Sequence, residues 1–287
     1  MWQNSKGGPV GGSDGVGGPD GVGGPDGVGG PDGVGGPDGV GGPDGEGGSD
    51  SELDWQADNL PVSRRFQDPY FARSDGLAES RHVFLAGNGL PGRFCPGFRI
   101  AELGFGTGLN FLAAWQSWRA AGCAGALHFT SFELAPLSAA QMARALSRWP
   151  TIAPLARALC AAWPGSGSGP GSGSGSGRIG FEDATLDVII GDARCTLPAW
   201  AGEADAWFLD GFSPARNPQM WEPRLMADLA ARTAPGGSFA TYSSAGHVRR
   251  ALAAAGFSVV KRPGFGAKRE MCVGSLDMAP CGDAPVA

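Results

Sequence analysis

The chain has 287 residues, 42% hydrophobic and 17% charged, an ordinary globular balance. Glycine is the exception: 22 of the 51 glycines fall in residues 1–50 and 7 more in 165–177, leaving about 224 residues of normal composition for one sizeable core. Residues 1–50 hold one lysine and eight acids, a net of −7. The whole chain is −6, so 51–287 sum to +1 and the acidic balance belongs to the tail. No apolar run approaches the roughly 18 residues that span a bilayer, and no apolar segment marks a secretory signal. Six scattered cysteines without a CxxC pair predict a reduced, cytoplasmic protein, with neither a zinc knuckle nor a disulfide framework. Three histidines without HExxH-like spacing argue against a metal site.

Residues 11–46 are six copies of a hexapeptide, Gly-Gly-Pro/Ser-Asp-Gly-Val/Glu. Glycine recurs at every third position from Gly12, but proline fills only alternate X positions and never Y. Residues 1–50 are therefore expected to be a disordered acidic tail rather than a triple helix. Residues 51–287 form the expected single domain, interrupted by a flexible Gly/Ser surface loop at 165–177.

The domain reads as alternating strands and helices. Phe98–Leu103 is an apolar strand ending at glycines, and Leu109–Ala121 has helical spacing. Ala126–Phe132 is a second strand, and Leu137–Ala162 is an Ala-rich helix. Leu186–Ile190 and Ala204–Leu209 are further strands. Pro218–Arg232 is helical, Ser238–Tyr242 is a strand, and Ala245–Ala255 is a helix. Phe257–Lys261 and Arg269–Val273 close the domain as two strands. This alternation predicts an α/β, doubly wound, mostly parallel seven-stranded sheet with ligands at the strands' carboxyl ends.

Four segments carry candidate chemistry. In Glu102-Leu-Gly104-Phe-Gly106-Thr-Gly108-Leu-Asn110, a strand ends in an acid and three alternate glycines open a helix. Such glycines let backbone turn sharply and approach a ligand that a Cβ would exclude. The dehydrogenase fingerprint needs its third glycine one position later, where this chain has Leu109. The spacing instead resembles motif I of the Rossmann-like class I S-adenosylmethionine methyltransferases. Glu133 ends the second strand, where a carboxylate can accept two ribose hydroxyls. Asp192 follows the third strand and is placed to accept from an adenine amino group. Asp210 ends the fourth strand, where it could orient an amine and help take its proton. Trp207, in the middle of that strand, reads as core.

Several blocks then share one resemblance: Pro61-Val-Ser-Arg64, Gly76-Leu-Ala-Glu79-Ser-Arg81, Gly87-Asn-Gly-Leu90, Glu102–Phe111, Ser131-Phe-Glu133, Asp205–Trp221, Thr241–Gly246 and Gly264–Met271. In this order they resemble the methyltransferase part of the bacterial MnmC family of tRNA-modifying enzymes, also found as stand-alone MnmD proteins. The resemblance implies methyl transfer from S-adenosyl-L-methionine to the aminomethyl nitrogen of 5-aminomethyl-2-thiouridine at the tRNA wobble position. Carried over by position, Glu102, Gly104, Gly106, Gly108, Asn110, Glu133 and Asp192 would hold the cofactor, and Asp210 would face the acceptor amine. The chain departs from the family at Gln219, usually an acid, at His247, usually an aromatic, and at Asp75-Gly76-Leu-Ala. Bifunctional members continue into an FAD-dependent domain whose glycine fingerprint does not appear here, so a separate FAD-dependent oxidase is the expected pathway partner.

Loop and strand-end cations, including Arg64, Arg65, Arg81, Arg216, Arg249, Lys261 and Lys268, are candidate tRNA contacts. A methyltransferase acting on another amine, and a non-catalytic nucleotide-fold binding module, stay open as readings of the residues alone.

Overall fold

A computed structural model describes residues 53–164 and 177–277. The repeat tail and all but the last residue of the 165–177 loop lie outside them. Three short strands come first: β1 (Leu53–Gln56), β2 (Leu60–Ser63) and β3 (Asp68–Pro69), paired antiparallel in a small sheet. A helical turn α1 (Gly76–Glu79) is capped by Asp75, which accepts from Ala78 N. It widens into a π-helical segment at Ser80–Leu85. The remaining elements are β4 (Arg99–Leu103), α2 (Leu109–Ala121), β5 (Leu127–Glu133), α3 (Ala139–Leu146), α4 (Ala153–Ala162), β6 (Gly177–Gly180) and β7 (Ala184–Ile190). They continue as α5 (Ala193–Ala199), β8 (Ala204–Leu209), α6 (Pro223–Ala231), β9 (Thr233–Thr241), α7 (Gly246–Ala254), β10 (Phe257–Pro263) and β11 (Glu270–Leu276).

The large sheet has eight strands in the order β10-β11-β9-β8-β4-β5-β7-β6. The central five run parallel; β10, β11 and β6 add antiparallel edges. The chain builds outward from β4 through β5 to β7, then returns to the other side of β4 to lay down β8 and β9. The strand order therefore reverses between β4 and β8, the place where such sheets leave a crevice.

Alternation along the strands divides two cores. Ile100, Phe129, Ala206 and Phe208 face α2 and α4, while Leu103, Phe132, Trp207 and Leu209 face α5, α6 and α7. Glu102 shares the face of Ile100, so it points beneath the first turn of α2. Trp207 is fully buried, as its mid-strand place predicts, and its Nε1 has no hydrogen-bond partner among the described residues.

The sequence reading needs three corrections. The sheet has an eighth strand, β6, whose glycine-bounded Arg-Ile pair carries too little pattern to read. The expected helix Leu137–Ala162 is two helices. Pro150 forces Trp149 into an extended conformation (φ −119°, ψ 90°) and ends the first of them. The expected helix Pro218–Arg232 is likewise split, with Glu222 extended before Pro223. The N-terminal small sheet and α5 add elements the periodicity does not reveal.

Asp183, in the turn before β7, ties that turn to α2. It accepts from Trp115 Nε1 at 2.6 Å and from Arg119 Nε and NH2 at 2.7 and 2.9 Å. Replacing Asp183 with Ala leaves a buried indole N–H unpaired and should lower unfolding stability by about 1–3 kcal/mol in urea titrations. An unchanged midpoint would show that the link contributes nothing.

Candidate active site

The strand-to-helix turn after β4 needs glycine for two different reasons. At Gly104 (φ +90°) a Cβ would lie 2.3 Å from the backbone oxygen of Asp210, so only glycine lets the ends of β4 and β8 come this close. At Gly108 (φ +77°) a Cβ would meet Leu159 Cδ2 at 2.8 Å and the Phe105 ring at 2.9 Å. The first glycine shapes the crevice; the second fits the start of α2 against α4.

A cavity of about 600 Å³ opens at these strand ends, within the range usual for small-molecule sites. Gly104, Gly106, Asn110, Glu133, Asp192 and Asp210 all line it. Glu102 and Gly108 do not; they sit behind its wall.

Glu133 accepts from Gly106 N at 3.0 Å through Oε2 and from Ala135 N at 2.8 Å through Oε1. Its carboxylate is thus fixed in orientation and still has lone pairs for a ligand. Asp192 caps α5 by accepting from Arg194 N at 2.9 Å and grips the Arg194 guanidinium, with NH2 at 2.6 Å. Those hydrogen bonds hold its carboxyl below the usual carboxylate range. Any adenine contact must share this carboxylate with Arg194.

Behind the wall runs a chain of buried polar groups. Asn110 Nδ2 donates to Glu102 Oε1 at 2.9 Å and to Asp210 Oδ2 at 2.6 Å. Ser80 Oγ donates to Asn110 Oδ1, which sets the amide so that its two N–H groups serve the two acids. Ser131 Oγ bonds Glu102 Oε2 at 2.8 Å. Burial, reinforced by the negative charge of Asp210, pushes the Glu102 carboxyl well above the usual range. Burial also raises Asp210, to about 7, helped by the field of Glu79 and opposed by Asn110 and Lys268.

Sequence reasoning leaves Glu79 and Tyr242 without a role and reads Lys268 only as a candidate tRNA contact, though all three lie in the blocks that carry the resemblance. Lys268 Nζ lies 2.8 Å from Glu79 Oε1 and 3.8 Å from the centroid of the Tyr242 ring, and Tyr242 OH donates to Gly211 O at 2.6 Å. Asp68 at the end of the small sheet accepts from Ser213 N at 2.9 Å, pinning the loop after Asp210. Phe66 stacks on Phe212 at 4.7 Å and Tyr70 meets it edge-on at 5.2 Å, giving the cavity an aromatic side. Among the described residues no cluster of three or more metal-ligating side chains occurs, and no helix is long and apolar enough to cross a membrane.

Residues 152–277 match the signature of a family described as S-adenosyl-L-methionine-dependent methyltransferase. The chain is 50% identical over 223 residues to the tRNA 5-methylaminomethyl-2-thiouridine biosynthesis bifunctional protein MnmC of Caulobacter vibrioides, which covers 77% of this chain and 37% of that protein. It is 47% identical over 240 residues to the same-named protein of Pseudomonas aeruginosa PA14, covering 80% and 36%. The chain therefore spans little more than a third of the length of these relatives. Among solved structures, MNMC2 from Aquifex aeolicus shares the fold, with a TM-score of 0.64 and 24% identity over 79% of this chain and 71% of that one.

The raised Asp210 carboxyl has a consequence for stability. Between about pH 4 and 7 the unfolded chain has released this proton while the folded chain still holds it, so stability falls as pH rises through that window. Asp210→Asn should remove this contribution. Its stability relative to wild type should climb from pH 4 to 7 and level off above, as read from urea unfolding at stepped pH. A difference independent of pH would mean that Asp210 titrates near the normal carboxylate value.

Proposed function

We propose that this chain, about half identical over more than three quarters of its length to proteins named MnmC and matched over residues 152–277 by an S-adenosyl-L-methionine-dependent methyltransferase family, methylates the aminomethyl nitrogen of 5-aminomethyl-2-thiouridine at the wobble position of tRNA. The observation that supports this most is the place of Asp210: in the cavity wall, held by Asn110, beside a glycine turn and at the switch point of the sheet.

The residues present suit S-adenosyl-L-methionine. The cradle at Gly104 and Gly106 has no Cβ to fill it, and a Cβ at Gly106 would come within 3.1 Å of the Tyr70 ring. These glycines would take the amino-acid end of the cofactor, Glu133 the ribose hydroxyls and Asp192 the adenine edge. Gly108 and Glu102 would support the site from behind, Gly108 by packing and Glu102 by holding Asn110. When bound, the cofactor supplies an electrophilic methyl group on a sulfonium.

A primary amine attacks only as the neutral base. With Oδ2 of Asp210 held by Asn110, Oδ1 is the oxygen left to orient the amine and accept its proton. A carboxyl with a pKa of about 7 can both hold and release that proton at physiological pH. The aromatic side formed by Phe66, Tyr70 and Phe212 suits a flat base, and an anticodon-loop nucleotide can be turned out without breaking a helix. The reaction needs a preceding step that exposes the amine; an FAD-dependent oxidase would supply it. A cytoplasmic location accompanies this reading.

The assay is transfer of tritiated methyl to tRNA isolated from cells that accumulate the aminomethyl base. Wild type should label it, and kcat/KM should rise with pH to a plateau above about 7. Asp210→Asn should lose roughly 10²–10⁴-fold in kcat while binding the cofactor normally in calorimetry. Full turnover in Asp210→Asn, or cofactor affinity lost together with turnover, would show that Asp210 has another role.

A further inference from the structure

Which cations are free to meet a polyanion is decided by what they already touch. Of the basic residues that sequence places at loops and strand ends, Arg64 pairs with Asp54, Lys261 with Glu270 and Lys268 with Glu79. Elsewhere Arg99, Arg119, Arg178 and Arg194 also hold carboxylates. Arg65, Arg73, Arg144 and Arg148 hold none among the described residues, nor do Arg81, Arg216 and Arg249, but the first four are linked through the cavity rim and β1. Arg65 and Arg73 stand on the cavity rim. Arg148 NH2 donates to the backbone oxygen of Arg73 at 3.2 Å, and Arg73 donates to Gln56 of β1. Beside Gln56, Trp55 carries the Arg144 guanidinium 4.0 Å from its ring centroid.

Aromatic faces and neutral acceptors hold this set. Arg148 lies 5.5 Å from the Phe71 ring centroid and 5.6 Å from that of Trp149, Arg144 Nε donates to Asn59 Oδ1 at 3.2 Å, and Arg65 lies 5.1 Å from the Phe66 ring. A guanidinium laid on a ring has its plane fixed while its edge N–H groups stay available, a geometry that matches phosphate oxygens. Nearby acids offset part of the charge and leave the balance positive. Asp54 is paired with Arg64, and Asp75 Oδ1 accepts from Trp149 Nε1 and Ala78 N. Asp58 in the β1–β2 turn and Asp75 keep their charge against four arginines, while Asp192, which feels the charge of Arg65, is already paired with Arg194.

We propose that the face running from Arg65 and Arg73 at the cavity rim to Arg148 and Arg144 at the end of α3 binds the phosphodiester backbone of the RNA whose base enters the cavity. The inference rests on the tRNA reading above and adds the surface that reading lacks. Continuity with the cavity favours RNA over an acidic protein, because bound backbone can run from this face while its nucleotide reaches Asp210.

The test compares wild type with the double variant Arg144→Gln/Arg148→Gln, whose residues lie outside the cavity. Binding of fluorescent tRNA is followed by anisotropy across a salt series, and methylation of undermodified tRNA is followed in parallel. The double variant should bind tRNA about tenfold more weakly at 0.1 M salt, with a log–log salt slope shallower by about 1.5. Its KM for tRNA should rise by a similar factor, with cofactor affinity and thermal midpoint unchanged. Arg144→Lys/Arg148→Lys should recover most of the salt slope, and Arg178→Gln, on the edge strand β6, should behave as wild type. A double variant with wild-type tRNA affinity and slope would overturn the proposal, even if wild type methylates tRNA well. So would polyglutamate competing as well as tRNA at equal charge, which would favour an acidic protein. Absence of tRNA methylation by wild type would instead strike the parent reading, and the binding series would still decide the face by itself.

Discussion

One shared hydrogen-bond donor organises the site. The Asn110 amide, on the first turn of α2, gives one N–H to Glu102 on β4 and the other to Asp210 at the end of β8. Two acids that would repel across a buried gap are thereby joined through a neutral group, and the Ser80 hydroxyl fixes which way that group faces. The energetic logic follows from burial. An unpaired carboxylate so far from water is costly, and the cost is met partly by these bonds and partly by a raised affinity for a proton. Close approach of β4 and β8, which only Gly104 permits, brings the partners within reach.

The outer parts of the molecule serve the same spot. The small sheet of β1, β2 and β3 delivers Asp68 to the loop after Asp210, and Phe66 and Tyr70 to the cavity's aromatic side. The segment before β11 delivers Lys268, whose charge is shared between Glu79 and the Tyr242 ring and which tempers the rise in the Asp210 proton affinity. Elements far apart in sequence thus set one carboxyl's chemistry, while Glu133 and Asp192 stand at the ends of neighbouring strands on the other side of the crevice.

Much of this was legible from local pattern. The apolar strand before Gly104, the alternating glycines, and acids placed at the tips of successive strands identify a crevice and its lining without any three-dimensional information. Alternation along β4 also places Glu102 on the Ile100 face, away from the crevice, although motif spacing alone suggests a cofactor contact. What stayed hidden has physical reasons. The small sheet is made of strands two to four residues long, two of them containing proline, and so lacks a period. The break at Pro150 is a backbone restriction inside an otherwise helical composition. The face of Arg73, Arg144 and Arg148 joins a loop and a helix end across Trp55 and Phe71, a juxtaposition that only packing creates.

The central claim is that Asn110 holds Asp210 as a carboxyl that changes charge near neutrality. Carbon-13 NMR of the Asp210 carboxyl, assigned by comparison with Asp210→Asn, measures that directly. The account predicts a titration midpoint near 7 in the wild-type protein, moving higher in Asn110→Leu because the amide favours the charged form. A wild-type midpoint near 4, or one indifferent to the loss of Asn110, would contradict it.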